Sequence, residues 1–180
     1  GDGGNDTSHY CHILGNHFHD TAEDEAIDVK PNIEDVVIER NLLEDNASVW
    51  GVIMVGGGRG GLIYNNVIRG STRDQEWSGN IYVDGPDRVI FNNVIYDSPR
   101  LDGIYVFPHS GVRIYHNTIY RTDRGIGFDG SGSGMVVRNN ILSQNVRQIG
   151  YVTGATIDHN LFDGASDVYG NQAIQADPQF

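Results

Sequence analysis

An asparagine recurs seven times along this chain of 180 residues, each time in the same apolar surroundings. The copies are Asn16, Asn41, Asn66, Asn93, Asn117, Asn140 and Asn160, at intervals of 25, 25, 27, 24, 23 and 20 residues. Ile or Val lies three residues before each copy, and Leu, Ile or Phe lies two residues after it. A repeat of this length is typical of a solenoid, in which each repeat buries its apolar side by stacking on its neighbours.

The local spacing indicates which kind of solenoid this is. Apolar and polar residues alternate around each Asn, as at Val112, Ile114 and Ile119, which is the spacing of strands. The chain has 24 glycines and lacks a dominant leucine repeat, so helical and horseshoe solenoids fit poorly. We therefore predict an all-β, single-stranded, right-handed parallel β-helix of about seven coils, stacked about 4.8 Å apart.

The recurring Asn has a structural role in such a fold. Asn tolerates the left-handed backbone of a sharp bend between strands, and its amide can bond the backbone and the next Asn. We therefore predict an inward Asn ladder in a single domain over residues 1–180, either whole or a piece of a longer solenoid. The only cysteine, Cys11, is in register with Val36 and Val112 and is predicted to be a core thiol.

The charge distribution narrows the range of partners. Residues 1–50 hold twelve acidic residues against Lys30 and Arg40, so ten of the twelve net negative charges lie there. Such a surface repels nucleic acid and anionic membranes. No apolar run approaches the roughly 20 residues of a membrane span, so we predict neither nucleic-acid binding nor membrane insertion. Acidic side chains on neighbouring coils favour a hard cation such as calcium.

A second strand in each coil offers a candidate binding surface. In the segments 81–84 and 104–107, the first and third residues are predicted to face the core and the second and fourth to face outward. By the same alignment, Ile53 and Val55 face outward. Aromatic faces stack on pyranose rings and carboxylates bond hydroxyls, so this surface is typical of a sugar-binding groove, although aromatic residues also simply favour strands. The predicted substrate-binding residues are Tyr82, Tyr105, Phe107, Asp84 and Trp77.

One acidic segment contains the only lysine of the chain. It reads Glu23-Asp24-Glu25-Ala26-Ile27-Asp28-Val29-Lys30, with an N-x-F motif before it and an Asn-containing coil after it. This outline resembles the catalytic coils of polysaccharide lyase family six, the chondroitinase B and alginate lyase group of the pectate-lyase-like superfamily. The resemblance implies that Glu23 and Glu25, with Asp28 beside them, bind calcium and that Lys30 is the general base.

The resemblance is incomplete at the catalytic arginine. That family continues with Leu-x-Leu-Arg-His-Gly, whereas this chain has Val55 at the arginine position, and Arg59 is the remaining candidate. A lyase of this kind removes the proton α to a uronate carboxylate, which the cation neutralises. Lys30 needs a lowered pKa for this step, whereas the neighbouring acids raise it. The hypothesis therefore requires the metal.

Three function classes follow from these patterns. The first is a secreted or periplasmic, calcium-dependent lyase that cleaves an acidic polysaccharide by β-elimination. The second is a β-helix that binds a glycan without cleaving it. The third is a structural module that self-associates end to end, since a β-helix has unpaired strand edges at its ends.

A group of histidines near the start of the chain offers a further metal candidate. His17 and His19 flank Phe18 on one predicted strand face, with His9 and His12 nearby. Imidazoles bind transition metals, so these residues are either such ligands or solvated strand positions.

Overall fold

The computed structural model describes residues 8–72, 78–150, 152–164 and 170–180. Trp77, predicted to extend the sugar-binding surface, lies outside these ranges. The described residues form strands and connecting turns, and none of their segments is a helix long and apolar enough to cross a membrane.

The strands are short and follow one another in a regular order. The first three coils contain β1 (His12–Leu14), β2 (His17–His19), β3 (Ile27–Val29), β4 (Val37–Glu39), β5 (Leu42–Glu44), β6 (Gly51–Val55), β7 (Leu62–Tyr64), β8 (Val67–Arg69) and β9 (Gly79–Val83). The next three contain β10 (Val89–Phe91), β11 (Val94–Ser98), β12 (Asp102–Val106), β13 (Arg113–Tyr115), β14 (Thr118–Thr122), β15 (Arg124–Phe128), β16 (Val136–Arg138), β17 (Ile141–Ser143) and β18 (Arg147–Ile149). The last strands are β19 (Thr156–Asp158), β20 (Leu161–Asp163) and β21 (Ile174–Gln175).

The pairing of these strands confirms the predicted parallel β-helix. Sheet one has the order β1-β4-β7-β10-β13-β16-β19, sheet two the order β2-β5-β8-β11-β14-β17-β20-β21, and sheet three the order β3-β6-β9-β12-β15-β18. Strands one coil apart pair in parallel throughout, as between β10 and β13. The described residues therefore form six complete coils and the beginning of a seventh.

The aliphatic residue that precedes each ladder Asn forms one wall of the core. Ile63 pairs with Ile38 and Ile90, and Ile90 pairs with Ile114, all of them buried. Cys11 is in the predicted register, because Val37 N donates to its carbonyl at 2.8 Å. Its thiol is nevertheless exposed, so the prediction of a core thiol is wrong. Among the described residues β1 is the first strand of sheet one, so a described coil covers Cys11 on one side only.

The inward Asn ladder is confirmed. Asn66 Nδ2 donates to Asn93 Oδ1 at 3.0 Å and to the backbone carbonyl of Ile38 at 3.0 Å, and the same pattern repeats along the stack. The left-handed conformation predicted for these asparagines falls instead on the residue before each of them. Examples are Asn65 at φ 54° and His116 at φ 55°. The bend and the ladder are thus carried by two adjacent residues.

A second row of polar residues, hydrogen-bonded in pairs, lies five residues after the first, where sheet two leads into sheet three. Thr122 Oγ1 donates to Asn145 Oδ1 at 2.9 Å, and Ser71 N donates to Ser98 Oγ at 3.2 Å. Its members are Thr21, Asn46, Ser71, Ser98, Thr122 and Asn145. This row was not predicted from the sequence, although each member lies five residues after a ladder Asn.

The predicted alignment of β6 is wrong by one residue. Ile53 pairs with Ile27 and Val55 pairs with Val29, so both face the core and are fully buried. Met54 therefore faces outward beside Asp28. The strand is apolar at each position after Gly51, so alternation could not distinguish its two faces.

Candidate functional site

The outer face of sheet three carries three aromatic rings in contact. Ile81 pairs with Ile104, which brings Tyr82 and Tyr105 side by side on the outside of β9 and β12. The Tyr82 and Tyr105 ring centroids are 5.6 Å apart, and Phe107 lies 5.6 Å from Tyr82 and 5.9 Å from Tyr105. These three residues, here called the aromatic cluster, are the ones that the sequence placed together.

The prediction that the tyrosines form an open strip is wrong. Tyr82 is 5 % exposed and Tyr105 is 0 % exposed, because each ring packs on its neighbours and the Arg124 guanidinium lies 5.8 Å from the Tyr105 ring centre. Burial raises the pKa of Tyr82 to about 12 and also raises the pKa of Tyr105. Phe107 is only half-buried. It is therefore the member of the cluster that a ligand can reach.

An ion pair with a buried carboxylate lies beside the cluster. Arg124 Nε donates to Asp102 Oδ1 at 3.0 Å, and Arg124 Nη2 lies 2.9 Å from Oδ2 without the alignment of a hydrogen bond. Burial raises the pKa of Asp102 to about 6 even though Arg124 opposes the shift. The carboxylate occupies space above Gly127, where a Cβ would lie 1.9 Å from Asp102 Oδ2. This pair was not predicted from the sequence. The one signal for it is Gly127, which follows Tyr82 and Tyr105 at the equivalent position of the next coil.

Two carboxylates flank Phe107 along the axis of the solenoid. Phe107 N donates to Val83 O at 2.9 Å and Asp129 N donates to Val106 O at 3.0 Å, so Asp84, Phe107 and Asp129 occupy equivalent positions of successive coils. At about 4.8 Å per coil, the two acids lie about 10 Å apart with the ring between them. His109 Nε2 lies 2.5 Å from Asp84 Oδ1 and holds that carboxylate in place. The face thus combines one accessible ring with two hydrogen-bond acceptors.

The residues predicted for the lyase reaction lie on an earlier coil. Lys30 is 65 % exposed and forms an ion pair with Asp28. The hydrogen bond that Lys30 donates to Asp28 raises the pKa of Lys30, which is the direction predicted from the sequence. Glu23 is exposed, and burial followed by the neighbouring Asp24 raises the pKa of Glu25.

The structure forms no contact between the two predicted catalytic residues. Arg59 is engaged by the following coil, where its Nη2 donates to Asp87 Oδ2 at 2.5 Å. Among the described residues, no group of three or more His, Cys, Asp or Glu side chains is arranged to hold a metal ion. The predicted ligands Glu23, Glu25 and Asp28 are therefore not such a group in this structure.

A second aromatic group lies on the outer face of sheet one. Tyr64 and Phe91 stack with centroids 4.7 Å apart and ring planes within 3° of parallel. This pair, here called the aromatic ladder, was missed from the sequence although each ring stands two residues before a ladder Asn. Parallel stacking covers one face of each ring with the other ring.

Comparison with known proteins gives one finding. A family sequence model with the description "NosD: Periplasmic copper-binding protein (NosD)" matches residues 67–176. This segment runs from β8 to β21 and includes the whole aromatic cluster, whereas Lys30, Arg59 and the predicted calcium ligands precede it. Comparisons with the curated proteins and with the solved structures gave no match.

Proposed function

The chain belongs to the NosD family, described as periplasmic copper-binding proteins, and on this basis we propose a periplasmic β-helix that binds a glycan on sheet three without cleaving it. The periplasmic description agrees with the secreted or periplasmic location predicted from the sequence. The observation that carries the proposal is the half-buried Phe107 ring between Asp84 and Asp129.

The geometry around Phe107 suits a sugar ring. Tyr105 meets Phe107 nearly edge to face, at 72°, and the buried tyrosines fix the position of the Phe107 side chain before any ligand arrives. A fixed platform lowers the entropy lost on binding. The pyranose C–H groups would pack on Phe107, while the carboxylates of Asp84 and Asp129 would accept hydrogen bonds from hydroxyls.

The charge of this face favours a neutral glycan. Asp84 and Asp129 are both acceptors, and they repel a polyanion unless a cation lies between them. The sequence favoured an acidic polysaccharide bound through calcium, but the described residues offer no metal-holding group of three or more side chains. We therefore propose a neutral polysaccharide as the ligand and treat an acidic one as the competing outcome.

The lyase reaction receives less support than binding. A general base at Lys30 must lose its proton, whereas the ion pair with Asp28 stabilises the protonated form. Arg59 pairs with Asp87, so it would have to leave that carboxylate to serve the same substrate. A lyase would also release unsaturated uronate products, whose ultraviolet absorbance distinguishes turnover from binding.

Copper, which the family description names, does not fit the described part of the matched segment. Its histidines are His109, which lies against Asp84, His159, which lies against Asp158, and the exposed corner residue His116. Met135 is buried in the core. These side chains do not come together as a group of three donors, so we assign copper no role in glycan binding.

Affinity measurements with a matched pair of variants test the proposal. Wild type, Phe107→Ala and Phe91→Ala would be titrated calorimetrically with a neutral polysaccharide (dextran or laminarin) and an acidic one (alginate or polygalacturonate). Loss of the stacking platform in Phe107→Ala should weaken binding of a neutral glycan about tenfold or more. Phe91→Ala removes an equal ring from the aromatic ladder and should bind like wild type.

Other results would contradict the proposed site or favour the lyase. No binding by the wild type, or equal losses in the two variants, would contradict the proposed site. Tight binding of alginate or polygalacturonate with release of unsaturated products that stops on Lys30→Ala would establish the lyase instead.

A further inference from the structure

Three residues at the same position of successive coils form a row on the outer face of sheet two. Tyr120 of β14 pairs with Ser143 of β17, and Ser143 pairs with Asp163 of β20. Their side chains face outward, because the residue before each of them, such as Leu142, is buried in the core. The row lines a cavity of about 280 Å³ that lies away from sheet three.

The last described residues fold back over this row. β21 continues sheet two beyond β20, and the chain then reverses. Asp177 Oδ1 accepts a hydrogen bond from Gln179 N at 2.8 Å, which makes a turn around Pro178. After this turn Phe180 lies against Tyr120, two coils before β20. Asp177, Pro178 and Phe180 therefore line the cavity together with the row.

The two aromatic rings of the cavity are perpendicular. The Tyr120 and Phe180 centroids lie 5.9 Å apart and the ring planes meet at 90°. Perpendicular rings can form adjacent walls of a cage, and the faces of such rings attract cations. The Tyr120 ring already makes one contact of this kind, since the Arg121 guanidinium carbon lies 4.8 Å from its centroid. Arg121 itself donates to Asp97 at 2.6 Å and does not line the cavity.

The cavity also carries negative charge. Asp163 Oδ2 accepts hydrogen bonds from Gln144 Nε2 and from Ser143 Oγ, each at 2.8 Å, and these bonds lower the pKa of Asp163. Asp163 is therefore ionised at neutral pH. Asp177 adds a second carboxylate, and none of the described residues that line the cavity is Lys or Arg. Aromatic walls beside unbalanced carboxylates favour a cationic ligand.

We propose that this cavity binds a small organic cation, such as a quaternary ammonium compound, between the rings of Tyr120 and Phe180 and the carboxylates of Asp163 and Asp177. A cavity of this volume suits a small molecule. A tetrahedral ammonium group can contact both perpendicular rings, whereas a pyranose stacks on a single face. A metal ion fits less well, because the described residues contain no group of three or more His, Cys, Asp or Glu side chains arranged to hold one.

This site is independent of the proposed glycan site. The cavity lies on sheet two and the aromatic cluster lies on sheet three, and the two share no residue. Loss of choline binding would therefore leave the glycan proposal intact, and the reverse also holds.

Titration with choline tests whether the ligand must be charged. Its neutral isostere, 3,3-dimethylbutan-1-ol, has the same shape because a carbon atom replaces the ammonium nitrogen. In calorimetry at low salt, the wild type should bind one equivalent of choline and should bind the isostere about tenfold or more weakly. Equal binding of the two compounds, or no binding of choline, would overturn the proposal.

A matched pair of tyrosine variants tests the location. Tyr96 pairs with Tyr120 on the preceding coil but does not line the cavity. Tyr120→Leu should weaken choline binding about fivefold or more, because it removes one aromatic wall. Tyr96→Leu should bind choline like the wild type. Equal losses in the two variants would contradict the assigned site.

Two further variants keep the test independent of folding. Phe180 is 70 % exposed, so Phe180→Ala should stay folded while choline binding weakens about fivefold. Asp177→Asn removes one charge but keeps the turn, since Asn makes the same side-chain bond to the backbone. It should weaken choline binding about fourfold, as expected for one unit charge about 5 Å away in water. Circular dichroism checks the fold, and unchanged affinity in both folded variants would refute the site.

Discussion

The aromatic ladder and the aromatic cluster use similar side chains on the same two coils of the solenoid, yet they present different surfaces. Tyr64 and Phe91 stack 3° from parallel, so each ring hides a face of the other. Tyr105 and Phe107 meet at 72°, so the ring of Phe107 is not covered face to face by its neighbour. On the proposed function, we expect ring orientation, more than the number of aromatic residues, to decide whether such a row binds a sugar.

The difference originates in what surrounds each group. In sheet three, Gly127 continues the row of Tyr82 and Tyr105, and the missing side chain leaves room for the buried carboxylate of Asp102. Arg124 pairs with that carboxylate and covers Tyr105. Tyr82 and Tyr105 are therefore buried on the outer face of sheet three, whereas both rings of the aromatic ladder remain half-buried.

The largest expected effect comes from removing the buried member of the cluster. Tyr105→Ala should lower the free energy of unfolding by about 3–5 kcal/mol, because it leaves a cavity among packed rings and exposes the neighbouring ion pair of Asp102 and Arg124. Phe91→Ala, on the half-buried ladder, should cost less than half as much. Urea unfolding of both variants measures the contrast, and equal losses would show that the two groups are energetically alike.

Removing one rung of the Asn ladder tests the scaffold that both groups share. Asn93 Nδ2 donates to Ile63 O at 2.9 Å and to Asn117 Oδ1 at 3.0 Å, and its Oδ1 accepts from Asn66. Asn93→Ala should cost about 3 kcal/mol, since it removes these bonds and leaves buried partners unsatisfied. The adjacent Asn92→Ala changes only a left-handed corner and should cost about 1 kcal/mol in the same unfolding experiment. Similar costs for the two variants would argue against the ladder as the stabilising element.

The parts of the fold that repeat could be predicted from the sequence. The Asn ladder and its aliphatic neighbours were predictable because their chemistry recurs in each coil. The register of β6 could not be predicted, because its consecutive apolar residues fit the core-facing and the outward-facing positions equally well. Cys11 shows a further limit, because its position in the repeat is that of a core residue while its coil lies at the edge of the sheets.

The candidate site was predictable only in outline. Alternation brought Tyr82, Tyr105 and Phe107 to one face, as the structure confirms. Their burial depends on side chains from several coils, and nothing local in the sequence couples Asp102 to Arg124, 22 residues later. The ion pairs of the predicted lyase residues differ in range, because Asp28 pairs with Lys30 two residues later in the same coil, whereas Asp87 pairs with Arg59 from the following coil.

The ion pair of Asp102 and Arg124 should make the stability of the cluster depend on pH. The pKa of Asp102 is about 6 in the folded protein, above its usual value of 3.8, so Asp102 contributes stability at low pH that is lost as the pH rises through about 6. Asp102→Asn resembles the protonated form and lacks this dependence. Relative to wild type, the variant should gain about 2 kcal/mol between about pH 4.5 and about pH 7. Urea unfolding at both pH values measures the difference, and a constant offset would place the Asp102 pKa at its ordinary value.

The smallest expected effect on stability comes from Phe107→Leu, which tests whether the sugar needs the flat ring of Phe107 or only its apolar bulk. Phe107→Leu keeps an apolar side chain on the two tyrosines, so the free energy of unfolding should fall by about 1 kcal/mol or less. Leucine offers no flat face to a pyranose ring, so binding of a neutral glycan should still fall about tenfold. Near-ultraviolet circular dichroism would check that Tyr82 and Tyr105 stay packed. A variant that binds like wild type would show that Phe107 contributes only apolar bulk and that the orientation of its ring is not what distinguishes the cluster from the ladder.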